Sequence, residues 1–348
     1  MTARRSDDRL TLLLLFGSNE ESYGVRMRQV FTHPLITFPT IVAIVLAAAL
    51  AMGVRSVAAS DHCIATGYMG LTANVVNEDL DGGDTIEVTC DVGAFFDESG
   101  SVSGATILGT VAEARPKQFG ILVVGANVDV RDTNVSVEAA YPHQFVSIAY
   151  HEGATGTISG NTISGAHRAG VLIRGAGTDV TVRGNSVIGS GPKTSGWAEN
   201  GIQVDQGANA DIVNNTVSQH WWDGESNFGS TGIMVLVDGA RVTNNVLEDN
   251  EFGIYVTGDD AKVTSNQISS SVVSQSSFQF RAWGVLLAGS KSHLAGNRMT
   301  ALDGAAGIYI FPGADKNRIT GNRISGFEEA IVDGGTDTMA RGNPTPAN

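Results

Sequence analysis

From about Gly93 to Asn343 two short signatures alternate, and their spacing leaves few folds open. One is Gly-apolar-x-apolar, as in Gly120-Ile121-Leu122-Val123, Gly170-Val171-Leu172-Ile173, Gly201-Ile202-Gln203-Val204 and Gly232-Ile233-Met234-Val235. It continues at Gly253, Gly284 and Gly307. The other is Asn-x-apolar, on Asn134, Asn161, Asn185, Asn215, Asn245, Asn266, Asn297, Asn322 and Asn343. Between Gly170 and Gly307 the glycines step by 31, 31, 21, 31 and 23 residues, a base period of 21 to 25 with insertions. Self-similarity at this length specifies a solenoid. Apolar alternation over four or five residues specifies strands.

Strands of successive turns then pair in parallel, about 4.8 Å apart, and alternate side chains stack inside the coil. Ile202, Val204, Ile233, Val235, Ile254 and Val256 are the expected interior. The Asn column is expected at a tight bend, where an amide that both donates and accepts can bond to its copy one turn away. Glycine at the start of each strand is expected to supply backbone freedom. The length suits one domain of about nine to ten turns, spanning 93–348.

Ahead of the repeat, Ile41 to Val54 is an unbroken run of 14 apolar or small residues, with Arg26 and Arg28 before it and Val57-Ala58-Ala59-Ser60 after. This reads as a secretory signal within residues 1–60, cleaved near Ala59 or Ser60, with Met27 as a candidate start. An uncleaved anchor is the alternative, although a span needs about 20 residues. Secretion leaves no membrane span in the mature chain. Cys63 and Cys90 are expected to form a disulfide that staples an N-terminal cap, 61–92, onto the first turn. Residues 1–60 hold six of the 22 basic and four of the 36 acidic residues, so the remainder has 16 against 32, a net charge of −16. Such a surface repels nucleic acid. It disfavours polyuronates too, unless a local basic site such as Arg174 or Arg281 overrides the field.

All four tryptophans lie in segments that interrupt the repeat: Trp197, Trp221 with Trp222, and Trp283. The three segments share one slot, so stacking sets them along one side. Alternation also puts Leu172, Gln203, Met234, Tyr255, Leu286 and Tyr309 in one outward column, with Arg174, Asp205, Leu236, Thr257, Ala288 and Phe311 in the next. An exterior this apolar calls for a cover.

The pattern GIxV…xIxxNxVSxx resembles the short repeat of right-handed parallel β-helix proteins of the pectin-lyase-like superfamily, over about 250 residues. The resemblance implies an all-β right-handed parallel β-helix. It leaves activity open among polysaccharide lyases, glycoside hydrolases, carbohydrate epimerases and binding or adhesion proteins. The Gly-His-Gly motif of polygalacturonase-like hydrolases, the Asp-Pro-His-Asp motif of alginate epimerases and the Arg-x-Pro-x-x-Arg motif of pectate lyases are absent. Arg318-Ile319-Thr320 only echoes the hydrolases' Arg-Ile-Lys.

In the resembling enzymes, loops beside one sheet wall the substrate groove. Here Trp197, Gln203, Trp221, Trp222, Tyr255, Arg281 and Trp283 are the candidate substrate-binding residues, with Phe228, Phe278 and Phe280 beside them; an indole face suits a sugar ring. The alternative is that these aromatics form a minicore. Arg174 and Asp205 fall at equivalent positions on adjacent turns. Asp205 is a candidate nucleophile or base, and Glu199, Asp223 or Glu225 a second carboxyl for glycoside hydrolysis. Lyase or epimerase chemistry needs instead a base, a group that neutralises a uronate and a proton donor, for which Arg174 or Arg281, His220 and Tyr255 are candidates. An ordinary ion pair is the plainer account of Arg174 and Asp205. Asp259-Asp260, or Asp223 with Glu225, offer oxygens to calcium, but no calcium-loop spacing is present and no metal or other cofactor is assigned. The expected partner is a polysaccharide or cell-surface glycan, met outside the cell as an enzyme, a binder or an adhesion protein.

Overall fold

The computed structural model describes residues 63–193, 196–224, 229–272 and 281–345. The apolar run Ile41 to Val54 lies outside them. Among the described residues no helix is long and apolar enough to cross a membrane. The regular structure among the described residues is β-strand apart from one 3-10 turn, Val111–Glu113.

From the strand Val92–Phe96 onward, each turn of the coil contributes a strand to each of three sides. The first side carries the Gly-apolar-x-apolar strands, among them Gln144–His151, Ala169–Arg174, Asn200–Asp205, Thr231–Val235, Phe252–Val256 and Ala282–Leu287, all in parallel register. The second side is a ten-stranded parallel sheet, with Asp179–Arg183, Asn209–Val213 and Arg241–Thr243 in consecutive places. The third side runs through Ser186–Lys193, Thr216–Trp222 and Val246–Glu248. In the last turns the third and first sides fuse into long bent strands, Arg298–Ile310 and Arg323–Asp333.

Inside, aliphatic side chains stack in columns, as the alternation implies. Val171, Ile202, Ile233, Ile254, Val285 and Ile308 are fully buried in one register. Val182, Ile212, Val242 and Val263 line the second side, and Val187, Val217 and Leu247 the third. Each such side chain contributes about 1.5–3 kcal/mol through removal from water.

The bend between the second and third sides explains the asparagines. A residue with positive φ, such as Gly184 (φ 64), Asn214 (φ 57) or Asn244 (φ 56), turns the chain just before each ladder residue. The amide Nδ2 of Asn185 then donates to Asn215 Oδ1 at 2.9 Å, Asn215 to Asn245 at 3.0 Å, and Asn245 to Asn266 at 3.0 Å. The chain of bonds starts at Asn161 and ends at Asn343. Asn134 is not a member: Thr133 occupies its place, and its N–H donates to Asn161 Oδ1 at 2.9 Å.

The glycine column has a different cause from the one expected. Gly170, Gly201, Gly232, Gly253, Gly284 and Gly307 lack positive φ. Close approach fixes them: a Cβ on Gly201 would lie 2.5 Å from the carbonyl oxygen of Gly232, and one on Gly253 2.6 Å from that of Gly284. Across this position the strand skips a step, so Asn200 and Gln203 both face outward while Gly201 and Ile202 face the interior.

Cys63 and Cys90 form the expected disulfide. The coil begins earlier than the repeat suggests: Thr72–Val76 and Thr85–Glu87 already hold places on the first and third sides. The two-residue strand Ile64–Ala65 pairs antiparallel with Thr72–Val76 at the exposed edge. Tyr68 and Leu71, in the connection, pack over the outer surface of the first sheet against Phe95, Phe119 and Leu122.

Candidate functional site at the outer face of the first sheet

Parallel register places Val124, His151, Arg174 and Asp205 one above another on the outside of the first sheet. Arg174 grips Asp205 with two parallel bonds, Nε to Oδ1 at 2.7 Å and Nη2 to Oδ2 at 2.7 Å. This fork geometry is the strong form of a charge-assisted pair. It holds the Arg174 guanidinium above its ordinary pKa, chiefly through the bonds to Asp205. Gln203 Nε2 donates to Asp205 Oδ2 at 2.7 Å, and Gln203 Oε1 accepts from Asn200 Nδ2 at 2.9 Å. Arg168, just ahead of the Ala169–Arg174 strand, reaches the same amide oxygen at 3.4 Å. Among the described residues no carboxylate pairs with Arg168. Burial, then the neighbouring Arg174 charge, lower its pKa.

His151 sits on the other side of Arg174. Its Nε2 is buried without a hydrogen-bond partner, and its Nδ1 lies 3.4 Å from the Tyr68 hydroxyl. Burial, reinforced by Arg174 and Lys117, pulls the imidazole pKa down to about 4. Tyr68 donates to Glu152 Oε1 at 3.0 Å. Its phenol is pushed up to about 12 by burial and then by that carboxylate. At neutral pH the site therefore presents an uncharged imidazole, a protonated phenol, a paired arginine and a second arginine, Arg168, that feels the Asp205 charge but makes no ion pair among the described residues.

The other candidates fall in two groups. Glu199 and His220 are both fully buried at the corner between the third and first sides. Glu199 accepts from Ser190 N at 2.6 Å and Lys193 Nζ at 2.7 Å, with His220 Nδ1 3.8 Å from its Oε1. Desolvation raises the Glu199 pKa and depresses that of His220 to about 3. One turn on, Glu251 Oε2 accepts from Ser230 N at 2.7 Å and Trp222 N at 3.2 Å, and burial lifts its pKa to about 8. Trp221 and Trp222 are buried here, whereas Trp197 is 46% exposed. Asp223 is exposed and its N–H donates to the Lys193 carbonyl. Glu225, Phe228, Phe278 and Phe280 lie outside the described residues.

The second group is an aromatic tier farther along the first sheet. Trp283 meets Tyr309 edge-on at 5.4 Å, Tyr309 meets Phe311 at 4.8 Å, and Tyr255 lies 6.2 Å from Phe311. Arg281 is held by Asp303, Glu328 and the Gly304 carbonyl. Asp259, weighed for calcium, accepts from Ser290 N at 2.7 Å and so ties adjacent turns together. Among the described residues no cluster of three metal-ligating side chains occurs.

Sequence reasoning missed Tyr68, His151, Arg168 and Glu251. The turn that carries His151 has Ser147 where its neighbours have glycine, so it escapes a glycine-based count. It left a trace nonetheless: the step from Gly120 to Gly170 spans 50 residues, room for one more turn.

The coil recurs in solved structures of low identity. The A-module of Azotobacter vinelandii mannuronan C-5 epimerase AlgE6 matches with TM-score 0.52 and 17% identity, over 80% of this chain and 89% of that one. A double mutant of the periplasmic alginate epimerase AlgG matches with TM-score 0.46 and 15% identity, over 73% of this chain; this chain spans 64% of that protein. The Streptococcus pneumoniae surface protein and adhesin PfbA matches with TM-score 0.32 and 12% identity, over 79% and 89% of the two chains. At such identities the likeness concerns the fold alone. No curated protein sequence matches. The family profile described as "Right handed beta helix region" matches residues 82–237 and 146–274, more than half of the chain together. The chain belongs to the right-handed β-helix family.

Proposed function

We propose that this β-helix acts outside the cytoplasm on a uronate-containing polysaccharide, removing the proton beside the sugar carboxylate and ending in epimerisation or β-elimination. The observation that carries the reading is the outward column His151, Arg174, Asp205, with Arg168 beside it, bonded to the Gln203 amide and ion-paired with no carboxylate among the described residues. Abstracting a proton next to a carboxylate requires that the carboxylate charge be neutralised and that a base and an acid be in reach. Arg168 and the outer nitrogen of Arg174 supply the charge. His151, uncharged above about pH 4, is the base in this reading; its Nε2 is enclosed without a hydrogen-bond partner in the free protein, so substrate binding has to open access to it. Tyr68, protonated to about pH 12, supplies the proton that is returned. Asp205 and Gln203 are positioning residues, since both act by fixing Arg174.

This reading departs from a two-carboxylate hydrolysis for a physical reason. Both oxygens of Asp205 are engaged by Arg174, and Glu199 is enclosed and paired with Lys193. The local arginines also answer the objection that an acidic protein repels a polyuronate. The tier of Tyr255, Trp283, Tyr309 and Phe311 extends the same face along the coil axis. Turns repeat at about 4.8 Å, comparable to one sugar residue, so this tier suits the binding of a chain that continues past the reacting unit. The disulfide favours an oxidising compartment. A mannuronan C-5 epimerase module shares the coil.

A panel of polyuronates and neutral glucans tests the proposal, read for unsaturated products by absorbance and for inverted residues by NMR. Turnover of a polyuronate that Arg168→Ala and His151→Ala both lose supports it. Cleavage of a neutral glucan with polyuronates untouched overturns it.

A further inference from the structure

We infer that the Cys63–Cys90 disulfide is a positioning device for the site, so that its oxidation state governs activity without governing the fold. The inference rests on the proposed role of Tyr68 and concerns the control of that same site.

Tyr68 does not belong to the coil. It is carried by the short connection from Ile64–Ala65 to Thr72–Val76, and it reaches residues 83 and 84 positions away. Besides the disulfide, the described contacts of that connection with the coil are the packing of Tyr68 and Leu71 on the apolar outer face, Phe95 among it, and the bonds of the Tyr68 hydroxyl. The antiparallel pairing has two residue pairs, Ile64 with Ala73 and Ala65 with Thr72. A two-stranded element of this size is marginal by itself. Thr66 organises the turn internally, its Oγ1 donating to Leu71 O at 2.9 Å and accepting from Tyr68 N at 3.1 Å, but this does not tie it to the coil. The covalent tie is Cys63 to Cys90, and Cys90 is fully buried in the first turn. The coil behind it is held by the stacked interior and the Asn ladder, both independent of the bond.

The chemistry of release is thiol–disulfide exchange with an external dithiol. The attacking thiolate must reach the Cys63 sulfur, because Cys63 is exposed and Cys90 is not. The new S–S bond forms at Cys63 and the Cys90 thiolate leaves. The second thiol of the reductant then attacks the mixed disulfide and releases Cys63 as thiolate. Two electrons pass to the protein sulfurs and the dithiol becomes a disulfide. Arg115 Nη2, 3.7 Å from Cys63 Sγ, stabilises the thiolate released there. Freed of its tie, the hairpin lifts and takes Tyr68 from His151.

The test compares the purified protein oxidised, reduced with a dithiol, and as Cys63→Ser with Cys90→Ser. Mannuronan is the substrate probe. Amide exchange over residues 64–72, the His151 titration by NMR and thermal melting of the coil are the readouts. On reduction, the 64–72 amides lose protection, His151 titrates closer to its ordinary value, and the melting transition of the coil persists. Turnover falls by at least about 10²-fold, the lower end for one acid–base group. Tyr68→Phe shows the same low turnover and no further response to reduction. Full turnover in the reduced protein, or unchanged protection and titration there, overturns the inference. Absence of turnover in the oxidised protein on mannuronan and on every other polyuronate overturns the proposed function, while the exchange and titration readouts still decide the inference.

Discussion

Replacing Asn215 with alanine probes the ladder at mid-coil. The side chain donates to Val182 O at 2.9 Å and to Asn245 Oδ1 at 3.0 Å, and accepts from Asn185 N at 3.0 Å and Asn185 Nδ2 at 2.9 Å. Asn185 Nδ2 keeps a second acceptor, Ile158 O, and Asn245 Oδ1 keeps the Asn215 backbone N–H. The Asn185 N–H and the Val182 carbonyl lose a partner where the fully enclosed bend gives water little access. Each stranded group costs about 1–3 kcal/mol, so the substitution costs about 4 kcal/mol in all. Asn343→Ala, at the partly exposed end of the ladder, costs about 1 kcal/mol because water can replace it. Asn134→Ala, off the ladder, stays within about 0.5 kcal/mol. Urea denaturation midpoints at constant slope give the three values. Equal losses at 215 and 134, or a loss below about 1 kcal/mol at 215, refute the ladder argument.

Gly201→Ala drives a methyl against the Gly232 carbonyl and the Val217 methyl and should cost about 1–3 kcal/mol by overpacking, whereas Gly239→Ala meets no atom and pays only for its positive φ; melting temperatures rank the two. Stability should peak near pH 6.5. His151, His167 and His220 have folded pKa values depressed to about 4, 4 and 3, so acid protonates the unfolded chain first and their contribution is lost as pH falls below 6.5. Glu251 is raised to about 8, so the folded state holds its proton and stability declines as pH rises from 4.5 to 8. Glu251→Gln should remove that decline, melting higher than the parent at pH 9 and close to it at pH 5. Asp205→Asn should weaken the grip on Arg174 and lower kcat more than it raises KM; an unaltered kcat contradicts the positioning role.

The coil was legible because its signals repeat: each alternating strand supports its neighbours, and from Asn161 to Asn343 the bend carries an αL residue followed by an asparagine. The outward columns were legible for the same reason, and the register that joins Arg174 to Asp205 follows from the glycine count. Three things were hidden. Ser147 masked a whole turn and with it His151. Tyr68 comes from outside the repeat, so periodicity could not place it. The burial of Glu199, His220, Trp221 and Trp222 depends on how the inserts fold at the corner, which composition does not specify. Glycine identity was read correctly, but its reason, contact between carbonyl and Cα on adjacent turns, is visible only in three dimensions.

Exchange of the hydrogen beside the sugar carboxylate tests the central claim most directly. Polyuronates incubated with the protein in deuterium oxide should gain deuterium at C5, or yield unsaturated ends, at a rate that falls at least about 10²-fold in His151→Ala. A protein that leaves C5 protium intact in every polyuronate, or a His151→Ala variant as fast as the parent, contradicts it.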